Sequence, residues 1–97
     1  MNVDINYLQS LLEIQEYRCA ITGDPIYGDR NGRKSNISVD RVDSDKGYTR
    51  GNVRLTTIRA NLMKGPMTDL ELVQMCTKIL NTLENINDDG KSATIAR

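Results

Sequence analysis

The hydrophobic and polar positions follow two different periods along this chain, and the changes of period divide it into helices and strands. Residues 4–16 place apolar side chains at helical spacing and predict an amphipathic helix. A short apolar piece at 17–21 predicts a strand. Residues 37–40 and 52–56 alternate apolar and polar positions, as a half-buried strand does. Because only about ten polar residues separate these last two segments, we expect them to form a β-hairpin.

The helical period returns after the hairpin. Residues 57–64 predict a short helix that a Gly-Pro dipeptide ends. Thr68 followed three residues later by Glu71 has the pattern of a capping box, which predicts the start of a second helix. The apolar positions of residues 68–85 fall on one face of that helix, and we expect this stripe to join the core.

These elements predict one small α+β domain over residues 1–85, in which a hairpin and a helix pack between an N-terminal and a C-terminal helix. Residues 86–97 are polar and without pattern, so we expect a frayed tail. No apolar run is long enough to span a membrane, and the first ten residues lack the pattern of a secretory signal. Two cysteines far apart in sequence favour a reducing, cytosolic location.

Composition narrows the possible chemistry. The 97 residues include no histidine, which excludes a Ser-His-Asp triad, a histidine-ligated metal and a histidine general base. The formal net charge is zero, yet residues 28–64 carry nine basic and four acidic side chains, a local charge of +5. Such a basic segment between acidic flanks is either a polyanion-binding surface or a solvated loop face.

One stretch carries a family resemblance. It reads SVDRVDSDKGYTRGNVR over residues 38–54 and continues as RANLMK over residues 59–64. This order of pieces resembles the HNH endonuclease family and its ββα-metal (His-Me finger) motif, in a phage-type variant, with the motif covering about residues 17–64. The resemblance implies a metal-dependent endonuclease that hydrolyses phosphodiester bonds, most readily in DNA, through a single Mg²⁺ or Mn²⁺.

The resemblance assigns Asp40, Arg41, Asn52 and Asn61 to the catalytic centre. Asp40, at the end of the first strand, and Asn61, on the following helix, would be the metal ligands, since Mg²⁺ prefers hard oxygen donors. Asn52 would pin the hairpin loop. Lys64 stands where relatives often carry a lysine and could hold a phosphate.

Arg41 departs from the family pattern. It occupies the position of the usual histidine general base, and a guanidinium that stays protonated cannot accept a proton. Three alternatives remain open at this point. A metal-bound water could supply hydroxide, Asp43 or Asp45 could act as the base, or Arg41 could only orient water and stabilise charge.

The zinc ribbon that braces many HNH proteins is not expected in this chain. Cys19 could be its first ligand, but Thr22 stands at the position of the partner cysteine. The second pair would fall near Thr57 and Ala60, where the chain has no cysteine.

Nucleic acid, most readily DNA, is therefore the expected partner, with no membrane association. Specificity would come from loops such as 28–36 or from a homodimer. Two other functions stay open: a catalytically degenerate HNH fold that binds nucleic acid, and a phage-encoded module that binds a host protein. The residues expected to contact nucleic acid share basic or aromatic side chains in the motif; they are Arg41, Lys46, Tyr48, Arg50, Arg54, Arg59 and Lys64.

Overall fold

The computed structural model describes residues 3–29 and 32–88, with side chains as far as residue 84. It confirms the α+β class and the order of helix, hairpin, helix and helix. Each main element lies within three residues of its predicted bounds. The elements are α1 (Ile5–Ile14), β1 (Ile37–Arg41), β2 (Val53–Thr57), α2 (Ile58–Lys64) and α3 (Asp69–Asp88).

The segment predicted as a first short strand, residues 17–21, does not form one. Among the described residues, it forms an isolated antiparallel bridge between Arg18 and Pro25, and the Ala20 N–H donates to the Leu55 carbonyl of β2 at 3.0 Å. Glu16 and Tyr17 both adopt positive φ angles, near 57° and 59°, where the chain leaves α1. This left-handed turn redirects the chain at once, so no run of residues lies extended beside β2.

The hairpin has two chemically different faces because successive side chains of a strand point to opposite sides. β1 and β2 pair antiparallel, with Val39 opposite Leu55 and Asp40 opposite Arg54. Val39 and Leu55 pack into the apolar core together with leucines of α1. Asp40 lies on the other face, where α2 reaches it through Lys64. The apolar core and the polar site therefore lie on opposite sides of the same two strands.

The core is small. Its buried members are Cys19, Ile26, Leu55 and Ala60, and three leucines of α1 pack against them. Gln15 adds a polar link, since its side-chain amide donates to the Leu55 carbonyl at 2.9 Å and accepts from the Leu55 N–H at 3.0 Å. It thus pairs with backbone groups on the edge of β2 that faces away from β1, where the Ala20 N–H also donates to the Leu55 carbonyl at 3.0 Å.

The start of α3 follows the sequence pattern. The Glu71 N–H donates to the Thr68 hydroxyl at 3.1 Å, and the Thr68 N–H donates to the Glu71 carboxylate at 2.9 Å. This reciprocal pair is the predicted capping box. The helix continues to Asp88, so residues 86–88 belong to it rather than to a tail. The rest of the predicted tail, residues 89–97, lies outside the described residues.

The apolar stripe of α3, however, is not core, and that prediction was wrong beyond the first turn. Leu72 is buried, but Ile79 and Leu83 remain 44% and 36% exposed, and Cys76 is also exposed. The helix contacts the body of the domain near its start and then projects from it. Among residues 3–29 and 32–88, no helix is both long and apolar enough to cross a membrane.

Candidate functional site

A groove opens where the end of β1, the hairpin loop and α2 meet. Its volume is about 340 Å³. We call it the hairpin groove and define it by the polar side chains that line it, which are Asp40, Arg41, Ser44, Tyr48, Asn61 and Lys64. Five of these six were predicted as site residues from the sequence, and the fold brings them together from three separate segments.

Asp40 lies at the floor of this groove and is only 5% exposed. Its two carboxylate oxygens accept from different cations. Lys64 Nζ lies 3.1 Å from Oδ1, and Arg54 Nε lies 2.9 Å from Oδ2. The negative charge of the carboxylate is therefore compensated by two cationic side chains, as burial of a charge requires.

Lys64 points inward. Its side chain is 1% exposed, and Nζ also donates to the main-chain carbonyl of Arg41 at 3.0 Å. The position follows from helical spacing, since Ala60 and Lys64, one turn apart, form the buried face of α2. The ammonium is thus held by β1, and in this arrangement it is not presented to a phosphate in solution.

Arg54 links Asp40 to α3. Its guanidinium donates from Nη1 and Nη2 to the two oxygens of Asp69, at 2.9 and 2.6 Å. These hydrogen bonds raise the pKa of Arg54, with a further contribution from Asp40, and they lower the pKa of Asp69. Sequence reasoning missed Asp69, whose acidic position in the first turn of a helix is a common feature with no link to a site.

Asp40, Arg54, Lys64 and Asp69 together form what we call the ion network. It joins β1, β2, α2 and α3 and alternates in sign from Lys64 to Asp40, Arg54 and Asp69. Two acids balance two bases. The arrangement is that of a charge-paired structural cluster.

Asn61 faces the same groove from α2. Its amide nitrogen donates to the Ser38 hydroxyl at 2.7 Å. Within the described part of the chain, no group donates a hydrogen bond to its amide oxygen. Asp40 and Asn61, the two predicted metal ligands, therefore line one groove, but only the amide still has an oxygen without a protein donor.

Asn52 pins the hairpin loop, as the resemblance predicted. It is buried, and its amide oxygen accepts from the Asp43 N–H at 2.9 Å. Its amide nitrogen donates to the carbonyls of Asp43 and Gly47 at 3.1 and 2.8 Å. One side chain thus ties both ends of the loop that carries Tyr48 to the groove.

Three arginines of the basic segment stack on tyrosines, a feature that sequence patterns did not predict. Arg41 lies over the Tyr48 ring on the hairpin groove, and Tyr48 itself is 54% exposed. Lys46 and Arg59, both expected to contact nucleic acid, are exposed. The three stacks, measured from guanidinium carbon to ring centre, are Arg33 on Tyr27 at 4.5 Å, Arg41 on Tyr48 at 5.1 Å and Arg50 on Tyr7 at 4.5 Å.

The carboxylate alternatives for a general base gain no geometric support. The Asp43 carboxylate accepts from the Asp45 N–H at 2.9 Å in a local turn. Neither Asp43 nor Asp45 is among the side chains that line the hairpin groove. Arg41 therefore occupies the position where a base is needed, and Asp40 is the one carboxylate among the residues that line the groove.

The donor set does not fit a divalent cation in this arrangement. Carboxylate and amide oxygens are suitable ligands by type. However, a metal bound to Asp40 would lie beside both Lys64 and Arg54, and like charges at such distances repel strongly. Among residues 3–29 and 32–88, no cluster of three or more Asp, Glu, His or Cys side chains could hold a metal.

Comparison with known proteins shows a similarity to a phage-encoded protein. No family model and no solved structure matches the chain. It is 32% identical over 73 residues to a protein of Enterobacteria phage T4 described as "Uncharacterized 29.0 kDa protein in dda-modA intergenic region". The alignment covers 75% of this chain and 28% of that protein. The chain thus spans little more than a quarter of a phage-encoded protein that it resembles.

Proposed function

We propose that this chain is a nucleic-acid-binding domain built on an HNH-like ββα scaffold whose metal position is closed by the ion network. One observation carries the proposal. Both oxygens of Asp40, the residue that would hold the metal, already accept from the side chains of Lys64 and Arg54. With Arg41 in the place of the general base, the groove also lacks the proton acceptor that the HNH resemblance would require.

Exposed groups around the groove supply the means of binding. Arg41 and Tyr48 line it, while Lys46 and Arg59 are exposed on the adjoining loop and helix. Basic side chains attract phosphates, and an exposed tyrosine ring can stack on an unpaired base. Asp43 and Asp45 on the same loop offset part of this charge. We therefore expect modest, salt-sensitive affinity with a preference for single-stranded or locally unpaired nucleic acid.

The test is fluorescence anisotropy with end-labelled single-stranded and duplex oligonucleotides of the same sequence. With three phosphate contacts, from Arg41, Lys46 and Arg59, log K against log salt should have a slope of roughly −2 for the single strand. Addition of EDTA should leave the affinity unchanged. Affinity that ignores salt, or the absence of binding at low salt, would contradict the proposal.

Two matched variant pairs locate the site. Tyr48→Ala should weaken single-strand binding by roughly tenfold, as the loss of one stacked base does, whereas Tyr17→Ala at the end of α1 should not. Arg41→Gln should reduce both affinity and salt dependence, whereas Lys78→Gln on α3 should change neither. Equal losses in the groove variants and their controls would place binding elsewhere.

A second candidate function is a metal-dependent endonuclease, favoured by the fact that Asp40 and Asn61 line one groove. It requires Lys64 to leave Asp40 before a cation can bind. Plasmid incubated with Mg²⁺ or Mn²⁺ at neutral and alkaline pH tests it, with Asp40→Asn as the control. Nicked products that need both metal and Asp40 would establish this function, and intact plasmid with both proteins would exclude it on that substrate.

We place this binding in the cytoplasm of a bacterial or phage-infected cell. The two cysteines support this compartment, since Cys19 and Cys76 are both free and Cys76 is exposed. A free exposed thiol persists best under reducing conditions. Detection of the untagged protein in the periplasmic fraction would contradict the assignment.

A further inference from the structure

The surroundings of Lys64 resemble those of a bound metal ion more than those of an ordinary surface lysine. Its ammonium lies 3.1 Å from a carboxylate oxygen of Asp40 and 3.0 Å from the main-chain carbonyl of Arg41. A carboxylate and a main-chain carbonyl are the oxygen donors that proteins offer to hard cations. The side chain is 1% exposed, so these donors replace water around the charge.

The second cation at Asp40 has a different role. Arg54 donates a hydrogen bond from Nε to Oδ2 of Asp40, and its two terminal nitrogens donate to Asp69. It is therefore anchored at both ends and leaves Oδ1 to Lys64. Oδ1 of Asp40 and the Arg41 carbonyl form a small oxygen site that Lys64 occupies, next to the groove that Asn61 also lines.

We propose that the Lys64 ammonium is an intramolecular cation that takes the place of a divalent metal at Asp40, so that removing this side chain opens a divalent-cation site. The inference rests on the closed metal position of the proposed function, but not on nucleic-acid binding. Its physical basis is charge balance, because loss of the Lys64 charge leaves the ion network with two acids and one base, and an unmatched buried charge is costly.

Three proteins test the proposal by thermal melting with and without MnCl₂. Lys64→Ala removes the charge and leaves space beside Asp40. Lys64→Met removes the charge but fills the space, and is the matched control. Lys64→Ala should melt at a temperature roughly 10 °C higher when Mn²⁺ is present at about 100 times its Kd. The wild type and Lys64→Met should show no comparable shift.

A titration followed by the electron paramagnetic resonance of free Mn²⁺ should show one bound ion per chain for Lys64→Ala. The double variant Lys64→Ala with Asp40→Asn should bind none. If Lys64→Ala folds only when MnCl₂ is present, that result also supports the proposal. It is overturned if Lys64→Ala folds without responding to Mn²⁺, if it stays unfolded with the metal, or if the wild type binds Mn²⁺ equally well. None of these results depends on oligonucleotide binding, so the two proposals can fail separately.

Discussion

At the scale of single residues, the hairpin groove is defined by how its buried polar groups are satisfied. A carboxylate at 5% exposure is stable in a protein only with partners, and Asp40 has two cationic ones. Likewise, both the amide oxygen and the amide nitrogen of Asn52 form hydrogen bonds with main-chain groups of the loop. Each of these side chains supports several others, so its removal should cost more than one hydrogen bond.

Asp40→Ala should lower the free energy of unfolding by about 3–5 kcal/mol, because it leaves the buried Lys64 ammonium without its counter-ion. Asp40→Leu combined with Lys64→Met should recover most of that loss by removing both charges. Urea denaturation of the three proteins measures both effects. The exposed Asp45→Ala is the control and should stay within about 0.5 kcal/mol of the wild type. Equal losses in the single and double variants would show that charge pairing is not the cause.

Asn52→Ala should lower the free energy of unfolding by about 3 kcal/mol, since three hydrogen bonds to the loop are lost at a buried position. Asn61→Ala is the matched comparison. It loses one bond to Ser38 and should cost about 1 kcal/mol. The same urea experiment ranks the two, and a larger loss for Asn61 would contradict the structural role given to Asn52.

At the scale of elements, the ion pair between Arg54 and Asp69 joins α3 to the hairpin. Arg54 on β2 holds Asp69 at the first residue of the helix, and Leu72 lies one turn further on. Asp69 also complements the positive end of the helix dipole. The junction therefore depends on the ionisation of an exposed carboxylate, which makes it sensitive to acid.

The pH dependence of this junction follows from the lowered pKa of Asp69. A carboxylate with a depressed pKa in the folded state adds stability above its unfolded pKa, near 4, and loses it as the pH falls through the folded value. Thermal stability should thus decline below about pH 4 by a component that Asp69→Asn lacks. Melting curves between pH 7 and pH 2.5 measure it. Parallel pH profiles for the two proteins would show that Asp69 does not cause the loss of stability in acid.

At the scale of the whole molecule, a small body and a projecting helix differ in how well they are packed. The body encloses one core behind the hairpin, whereas most of the α3 stripe remains open to solvent. Each of these two environments contains one cysteine. Cys19 is 4% exposed in the core, and Cys76 lies exposed on α3.

Cysteine labelling with DTNB should therefore proceed in two separate phases. Cys76 should react at the rate of an accessible thiol, and Cys19 should react only as the domain unfolds. Burial opposes ionisation of Cys19, but hydrogen bonds from Thr22, Ile21 and Thr57 outweigh it and lower its pKa to about 7. Access rather than ionisation therefore limits its rate. Cys76→Ser should abolish the fast phase, and slow labelling of Cys76 in the wild type would mean that α3 is covered in solution.

Local patterns along the chain were enough to predict the helices, the hairpin and the capping box of α3. Helical spacing, strand alternation and capping chemistry act between residues close in sequence. They also led to the Asn52 loop contact, through the resemblance. The strand predicted at 17–21 was wrong, because a left-handed turn at Glu16 and Tyr17 has no clear sequence signal. The long helix also extends three residues beyond its predicted end.

Only the tertiary structure decided which partner each charged side chain takes. Asp40, Arg54 and Lys64 are far apart in sequence, and Asp69 lies on a different helix, so no periodicity could pair them. The same limit applies to the α3 stripe, because an amphipathic pattern predicts an apolar face without saying what covers it. The pairing of these charges is thus decided by long-range packing, because burial requires each charge to be matched.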